Sequence, residues 1–201
     1  MTFFNRQRLT NDVFKIDVKR MRRGWYSDKY FENIGVMLSS LAEQGYLFKG
    51  DALSLTDVDL SNTEVGNLEV EMQWFTRRTG KVVVAGVDKA LTMLRHCSGY
   101  FNDDGKFINT WNHLEVEAVH DGDNVTFEGD PASIQPVIRV RGRYRDFALL
   151  ETPTLGLLTR SSRVATNVYE TLKSARGKPV LFFPARFDLH EVQAADGYAY
   201  N

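Results

Sequence analysis

Cysteine is nearly missing from this 201-residue sequence. Cys97 stands alone, so no disulfide can form within one chain, and a reducing cytoplasmic compartment is the expected setting. Histidine is sparse too. His96, His113, His120 and His190 are scattered, and with one cysteine no zinc-ligand spacing arises. The acidic turns at 102–105 and 120–123 lack the downstream glutamate of a calcium loop. There is no G-x-G-x-x-G, P-loop or H-E-x-x-H motif, and no serine sits in a strand–turn–helix elbow. Long apolar runs are absent: nothing approaches the ~18 residues of a membrane-spanning helix. Residues 1–15 also have no apolar core of signal-peptide length. A formal net charge of -1 supplies no global field toward nucleic acid or an anionic membrane.

What is present is an ordinary globular mixture. Hydrophobic residues make up 43% and aromatics 12%, too much apolar material for a disordered chain. Ser27 or Asp28 can cap a helix that Gly45 ends, with Tyr30, Ile34, Met37, Leu38 and Leu41 on one face. Residues 50–67 are polar and loop-like, 68–78 alternate as a strand, and 86–97 form a short helix with Val87, Leu91 and Leu94 inward. Residues 114–120 and 124–129 flank an Asp-Gly turn and predict a hairpin. Beyond residue 130 the pattern changes to strand (137–142), helix capped by Asp146 and bent or divided by Pro153, and a second helix capped by Ser161 or Ser162 and closed by Gly177. The apolar run 180–183 predicts a parallel strand covered on both faces. The expected organisation is an α+β domain over residues 1–133, then the first βα units of a second domain over 134–201.

Three stretches carry candidate chemistry. Alternation puts Arg139 and Arg141 on one strand face, either as an anion or RNA surface or as a salt-bridged sheet face. Lys19, Arg20, Arg22 and Arg23 precede two aromatics and a capping Asp, which suits a phosphate site or a solvated basic segment. The end of the 180–183 strand opens onto Arg186, Asp188 and His190. There Arg186 can clamp a carboxylate, Phe183 can stack on a flat ring and His190 can donate to an anion, or Arg186 and Asp188 can simply pair.

Four collinear segments, "RRGWYSDKYFENIGVML", "VEMQWFTRRTGKVVVAGVDKAL", "VIRVRGRYRDFALLETPTLGLLTRSSRVATNVY" and "GKPVLFFPARFDLHEVQAADGYAY", resemble the nicotinate phosphoribosyltransferase family. A weaker similarity to quinolinate phosphoribosyltransferase lies in the same helix–helix–strand–Arg pattern. The resemblance implies an α/β sandwich-like N-terminal domain followed by the beginning of an irregular α/β barrel, the type II phosphoribosyltransferase arrangement. It implies a cytoplasmic homodimer with shared sites, acting in NAD salvage. The implied glycosyltransferase chemistry joins nicotinate to phosphoribosyl pyrophosphate, coupled as in a ligase to ATP, with Mg2+ on the pyrophosphate.

By the same resemblance Tyr30 stacks on the pyridine from the partner subunit with Asp28 beside it. Phe183 is the second stacking aromatic, Arg186 faces the carboxyl end, and His190 follows as a polar neighbour. Glu151 and Thr152 lie in a signature segment. Family members continue through further βα units that carry glycine-rich loops and a phosphorylated histidine, expected beyond Asn201. No such cradle occurs here, so His190 is not that histidine. The expectation is an N-terminal half, inactive by itself. The alternatives are a non-catalytic dimerisation fragment and an RNA-binding module built on Arg139 and Arg141.

Overall fold

The alternation around residue 139 is the seed of the fold. In the computed structural model, which describes residues 7–50, 59–183 and 188–200, strand β7 (Pro136–Arg143) occupies the centre of a three-stranded antiparallel sheet. Strand β1 (Glu69–Phe75) lies on one side of it and β5 (Glu115–Ala118) on the other. Ile138 and Val140 are wholly buried, so Arg139 and Arg141 must face the other way. The register then fixes their partners: Arg141 lies opposite Glu71 and Glu115, and Arg139 opposite Gln73 and Glu117. A second, two-stranded sheet pairs β2 (Gly80–Val83) with β6 (Asn124–Phe127), and a small ribbon pairs β3 (Gly99–Phe101) with β4 (Phe107–Asn109).

Residues 114–120 and 124–129 therefore do not form a hairpin. β5 pairs with β7 and β6 with β2, in separate sheets. The reason lies in the turn between them. Asp121 is buried and accepts from the backbone N–H of Val87 (2.7 Å) and of Asp88 (3.4 Å), the first turn of helix α3 (Val87–Cys97). The capping position before that helix is Gly86 at φ +95°, which has no side chain to offer, so Asp121 satisfies the free donors from a distance. Val87, Leu91 and Leu94 point inward as their spacing predicts. They join Trp74, Val84, Ile138, Phe147 and Leu150 in one core.

Helices α1 (Val18–Met21) and α2 (Lys29–Glu43) precede the first sheet. Asp28 is the residue before α2, and Gly45 follows it at φ +57°. The buried residues of α2 are Phe31 and Leu38, with Ile34 and Leu41 half-buried as predicted, whereas Tyr30 and Met37 of the predicted stripe are exposed and Phe31 turns inward instead.

The largest correction concerns residues 146–177. Instead of two helices there is one, α4 (Glu151–Ala175), 25 residues and about 38 Å long. Pro153 does not divide it: it is the third helical residue, where the backbone N–H has no helical partner to lose. Asp146 is no cap either; it receives the Arg143 guanidinium at 2.8–3.1 Å. Ser161 and Ser162 sit in mid-helix. The Ser162 hydroxyl accepts from the Ala85 N–H (3.1 Å), and the Thr166 hydroxyl accepts from the Val83 N–H (3.0 Å). A row of hydroxyls on α4 thus satisfies the outer edge of β2, which would otherwise be open.

Residues 178–183 form no strand, and Leu181 and Phe183 are each 75% exposed. The last helix, α5 (His190–Tyr200), packs on α4. Ala85, Ala165 and Ala199 meet there, and the Tyr200 hydroxyl donates to the Val180 carbonyl at 2.7 Å. Among the described residues no helix is long and apolar enough to cross a membrane.

Candidate functional site

The open face of α4 and the start of α2 enclose a groove of about 640 Å³. A helix repeats every 3.6 residues, so Thr152, Leu155, Gly156, Thr159, Arg163 and Asn167 line up along one side of α4. Asp28 and Tyr30, at the beginning of α2, close one end. The two helices are tied there by Thr152. Its hydroxyl accepts from the Asp28 N–H at 3.2 Å and lies 3.3 Å from the Asp28 carboxylate and 3.2 Å from that of Glu151. One hydroxyl proton serves two carboxylates.

This crowding has an electrostatic consequence. Burial pushes the Glu151 carboxyl above its ordinary range and the Asp28 charge adds to it, against the hydrogen bond from Thr152. The Tyr30 phenol is raised by desolvation first, then by Glu151 and Asp28. Its ring is 55% exposed, and it leans on Phe31 with centroids 4.0 Å apart. A flat ring on the exposed side of Tyr30 would find an aromatic face already held by a second one.

Twelve positions along the helix, about 18 Å away, the groove turns cationic. Arg160 is committed to α5. Its Nε and Nη2 reach Asp196 at 3.1 and 2.7 Å, and it also pairs with Asp188, which holds the guanidinium firmly protonated. Arg163 has no carboxylate within reach among the described residues and is exposed. The groove thus carries acid at the α2 end, an aromatic face beside it, and one uncommitted guanidinium at the far end. Gly156 lies between, and a Cβ there would meet no atom within 4 Å.

Of the residues expected to bind substrate, the fold brings Asp28 and Tyr30 together in this groove, with Glu151 and Thr152 of the signature segment. Phe183 is exposed and does not line it, and His190 projects from the start of α5 with its Nδ1 3.2 Å from Glu191. Arg186 lies outside the described residues. Arg160, Arg163 and Asn167 were not singled out by sequence reasoning. Their signal was the i, i+3, i+7 spacing on the side opposite the buried residues, visible once 151–175 is read as one helix.

The other two basic stretches are largely spent. Arg139 pairs with Glu71 and Glu117, and Arg141 with Glu71, Glu115 and Glu117, the salt-bridged sheet face of the two sequence readings. Arg20 pairs with Asp17 and stacks on Trp25, while Arg22 donates twice to the His96 carbonyl (3.0 and 2.7 Å) and lies over Phe107. Cys97 is buried, which pushes its thiol up to about 11 and leaves no thiolate for chemistry near neutral pH.

Comparison with known proteins places residues 57–162, slightly more than half of the chain, on the family model described as quinolinate phosphoribosyl transferase, N-terminal domain. The matched span begins twelve residues before β1 and runs through the first half of α4. Among solved structures, nicotinate-nucleotide pyrophosphorylase from Pyrococcus furiosus aligns with a TM-score of 0.60 at 18% identity, covering 93% of this chain and 38% of that one. Human nicotinic acid phosphoribosyltransferase aligns at 0.55 and 18% identity, covering 87% and 34%. The Francisella tularensis nicotinate-nucleotide pyrophosphorylase aligns at 0.51 and 15% identity, covering 96% and 52%. At these identities the likeness establishes the fold, and the chain spans a third to a half of the length of these structures. No curated protein matches the sequence.

Proposed function

We infer the function from one premise: this chain belongs to the quinolinate phosphoribosyl transferase N-terminal domain family, and its fold is that of type II phosphoribosyltransferases linked to NAD biosynthesis. Within that class we propose that it serves nicotinate rather than quinolinate, in the reaction nicotinate plus phosphoribosyl pyrophosphate to nicotinate mononucleotide plus pyrophosphate. The observation that carries the reading is the groove itself. An exposed phenol ring at one end suits a flat ring, and an uncommitted guanidinium about 18 Å along α4 suits an anionic group of the second substrate. A dicarboxylate would bring a second negative charge toward Asp28 and Glu151, and the nearer cation of the groove, Arg160, is already held by Asp188 and Asp196.

In the proposed step the pyridine nitrogen bonds to C1 of the ribose as the C1–O bond to pyrophosphate breaks. Tyr30 holds the ring, and Arg163, about 18 Å further along α4, meets an anionic group of phosphoribosyl pyrophosphate. Asp28 and Glu151 set negative potential where positive charge develops on the ribose. Such a reaction needs positioning and electrostatics more than covalent help. Phe183 and Arg186 remain candidates for the second aromatic face and the carboxylate clamp, in a site completed by a second subunit. His190 is kept as an accessory donor. No group of three His, Cys, Asp or Glu side chains able to hold a metal occurs among the described residues. Magnesium is expected to enter with the pyrophosphate, and no step here is routed through it or through ATP.

The test is binding. Titration calorimetry of the chain with nicotinate, nicotinamide and quinolinate should rank nicotinate first. Tyr30→Ala should weaken nicotinate about tenfold through loss of stacking. Equal affinity for nicotinate and nicotinamide, or no effect of Tyr30→Ala, would overturn the assignment.

A further inference from the structure

A second cavity, of about 250 Å³, lies on the other side of Arg163, in the seam between the two sheets. Its floor is apolar and comes from five elements. Trp74 of β1, Val82 of β2, Val125 of β6, Val137 of β7 and Leu158 of α4 are all buried there, with Val84 beside them. Its rim is cationic. The connection between β1 and β2 is the four residues Thr76-Arg77-Arg78-Thr79, and it carries two arginines across the seam toward Arg163 on α4.

Three guanidinium groups therefore surround an apolar floor, and among the described residues no carboxylate lines it. None of the three has a carboxylate within 4 Å among the described residues. Arg77 lies over Phe75 at 5.7 Å, and the Arg78 N–H is taken by the Thr76 hydroxyl at 3.0 Å, which shapes the loop and leaves both charges free. The pairing of β1 with β7 shifts register between Trp74 and Phe75, immediately before these residues. Such bulges re-aim the side chains that follow them. Elsewhere in the chain arginines in comparable density, those of β7, are met by glutamates.

We propose that this seam is a second binding site, for a small monocarboxylate with an apolar body. The volume sets the size, since it falls below the ~300–1,000 Å³ of drug-sized ligand sites. The floor demands an apolar body, and the rim demands an anion. An arginine fork meets a carboxylate with two parallel N–H bonds, so one carboxylate can engage one guanidinium directly and gain from the others at longer range. A bare inorganic anion would leave the floor unfilled.

A matched pair of probes, 4-phenylbutyrate and its uncharged carboxamide, separates the two halves of the proposal. By titration calorimetry 4-phenylbutyrate is expected to bind saturably, less tightly at high salt, and about tenfold tighter than the carboxamide. The double variant Arg77→Gln/Arg78→Gln should lose about tenfold in affinity for phenylbutyrate and nothing for the carboxamide. Arg163→Gln, on a different element, should weaken it as well, so the result does not depend on the loop folding correctly. Tyr30→Ala, in the first groove, should leave phenylbutyrate binding unchanged, which keeps failure here distinct from failure of the nicotinate assignment. Equal binding of acid and amide would overturn the proposal, as would inorganic phosphate binding as tightly as phenylbutyrate. So would arginine variants that abolish self-association of the chain while leaving phenylbutyrate affinity intact.

Discussion

Thr154 and Thr159 are the same residue five positions apart on α4, and they live in different worlds. Thr154 is wholly buried, accepts from the Trp74 indole N–H at 2.9 Å, and donates to the Leu150 carbonyl at 2.6 Å. Thr159 is exposed and lines both cavities. The contrast extends along the helix. The inner face (Thr154, Leu158, Ser161, Ala165, Thr166) is committed to the sheets, while the outer face (Thr152, Gly156, Thr159, Arg163, Asn167) makes few commitments of its own. Stability belongs to the inner side of α4 and the first groove to the outer side, so substitutions on the two faces should move stability and nicotinate binding separately.

The sharpest break comes from Leu158→Ala. Leu158 is 5% exposed in the main core, and deleting its branched end should cost about 2–5 kcal/mol. Chemical denaturation should show that loss as a lower midpoint. Thr154→Val comes next. The shape is kept, but the buried Trp74 N–H loses its acceptor, at about 1–3 kcal/mol. Thr154→Ser restores the acceptor and should recover most of the loss, which a purely steric account of this position does not predict.

On the outer face the sign reverses. At Gly156 an added Cβ meets no protein atom within 4 Å, and Gly156→Leu replaces glycine in a helix interior, so stability should rise by about 0.5–1 kcal/mol. The new side chain fills the groove, and nicotinate binding should be lost in calorimetry. A variant that melts later and binds worse would demonstrate the division of labour directly. A simultaneous loss of both properties would refute it.

The division between the faces was only half visible in the sequence. Helix α3, the β7 alternation and the helix start at Asp28 were legible because each rests on short-range pattern: apolar spacing, period-two alternation, a capping residue. Asp28 and Tyr30 were named as site residues from the family resemblance, since local pattern placed Tyr30 on the buried face of its helix. Ser161 and Ser162 misled, because a hydroxyl in a helical pattern looks the same whether it caps its own helix or serves a neighbouring strand. Splitting α4 there hid the outer stripe, and Arg163 with it. The partners of β5 and β6 were illegible for a related reason: the Asp-Gly turn offers hairpin geometry, but Asp121 is drawn away to α3 by a contact 34 residues distant in sequence. Residues 180–183 look like a covered strand by composition, yet Leu181 and Phe183 stand exposed, because strand formation depends on neighbours more than on local apolarity. The family resemblance reached the type II phosphoribosyltransferase class, and the matched domain is the quinolinate one.

The smallest expected effect lies where the two faces meet, at Glu151. Its carboxyl is held above the ordinary value of 4.5, chiefly by burial and then by Asp28. A raised native pKa means that the folded chain binds more protons than the unfolded one between the ordinary value and the native value. Stability must therefore fall as pH rises through that window, beginning near 4.5 and ending above the native pKa. Asp121, raised first by burial, contributes a slope of the same sign, so the wild-type profile alone does not isolate Glu151. The difference between wild type and Glu151→Gln does. Denaturation midpoints measured across the acid range should show a shallower decline in the variant, because the Gln side chain has no proton to lose. Binding should follow the same titration with opposite consequence for an anion: protonating Glu151 removes a negative charge from the groove, so nicotinate affinity should strengthen as pH falls into the window, over the range above that in which the pyridine nitrogen of nicotinate takes a proton, and Glu151→Gln should flatten that dependence. A variant whose stability and binding profiles both track the wild type would show that Glu151 keeps its charge throughout, and the acid end of the groove would then repel anions at every pH.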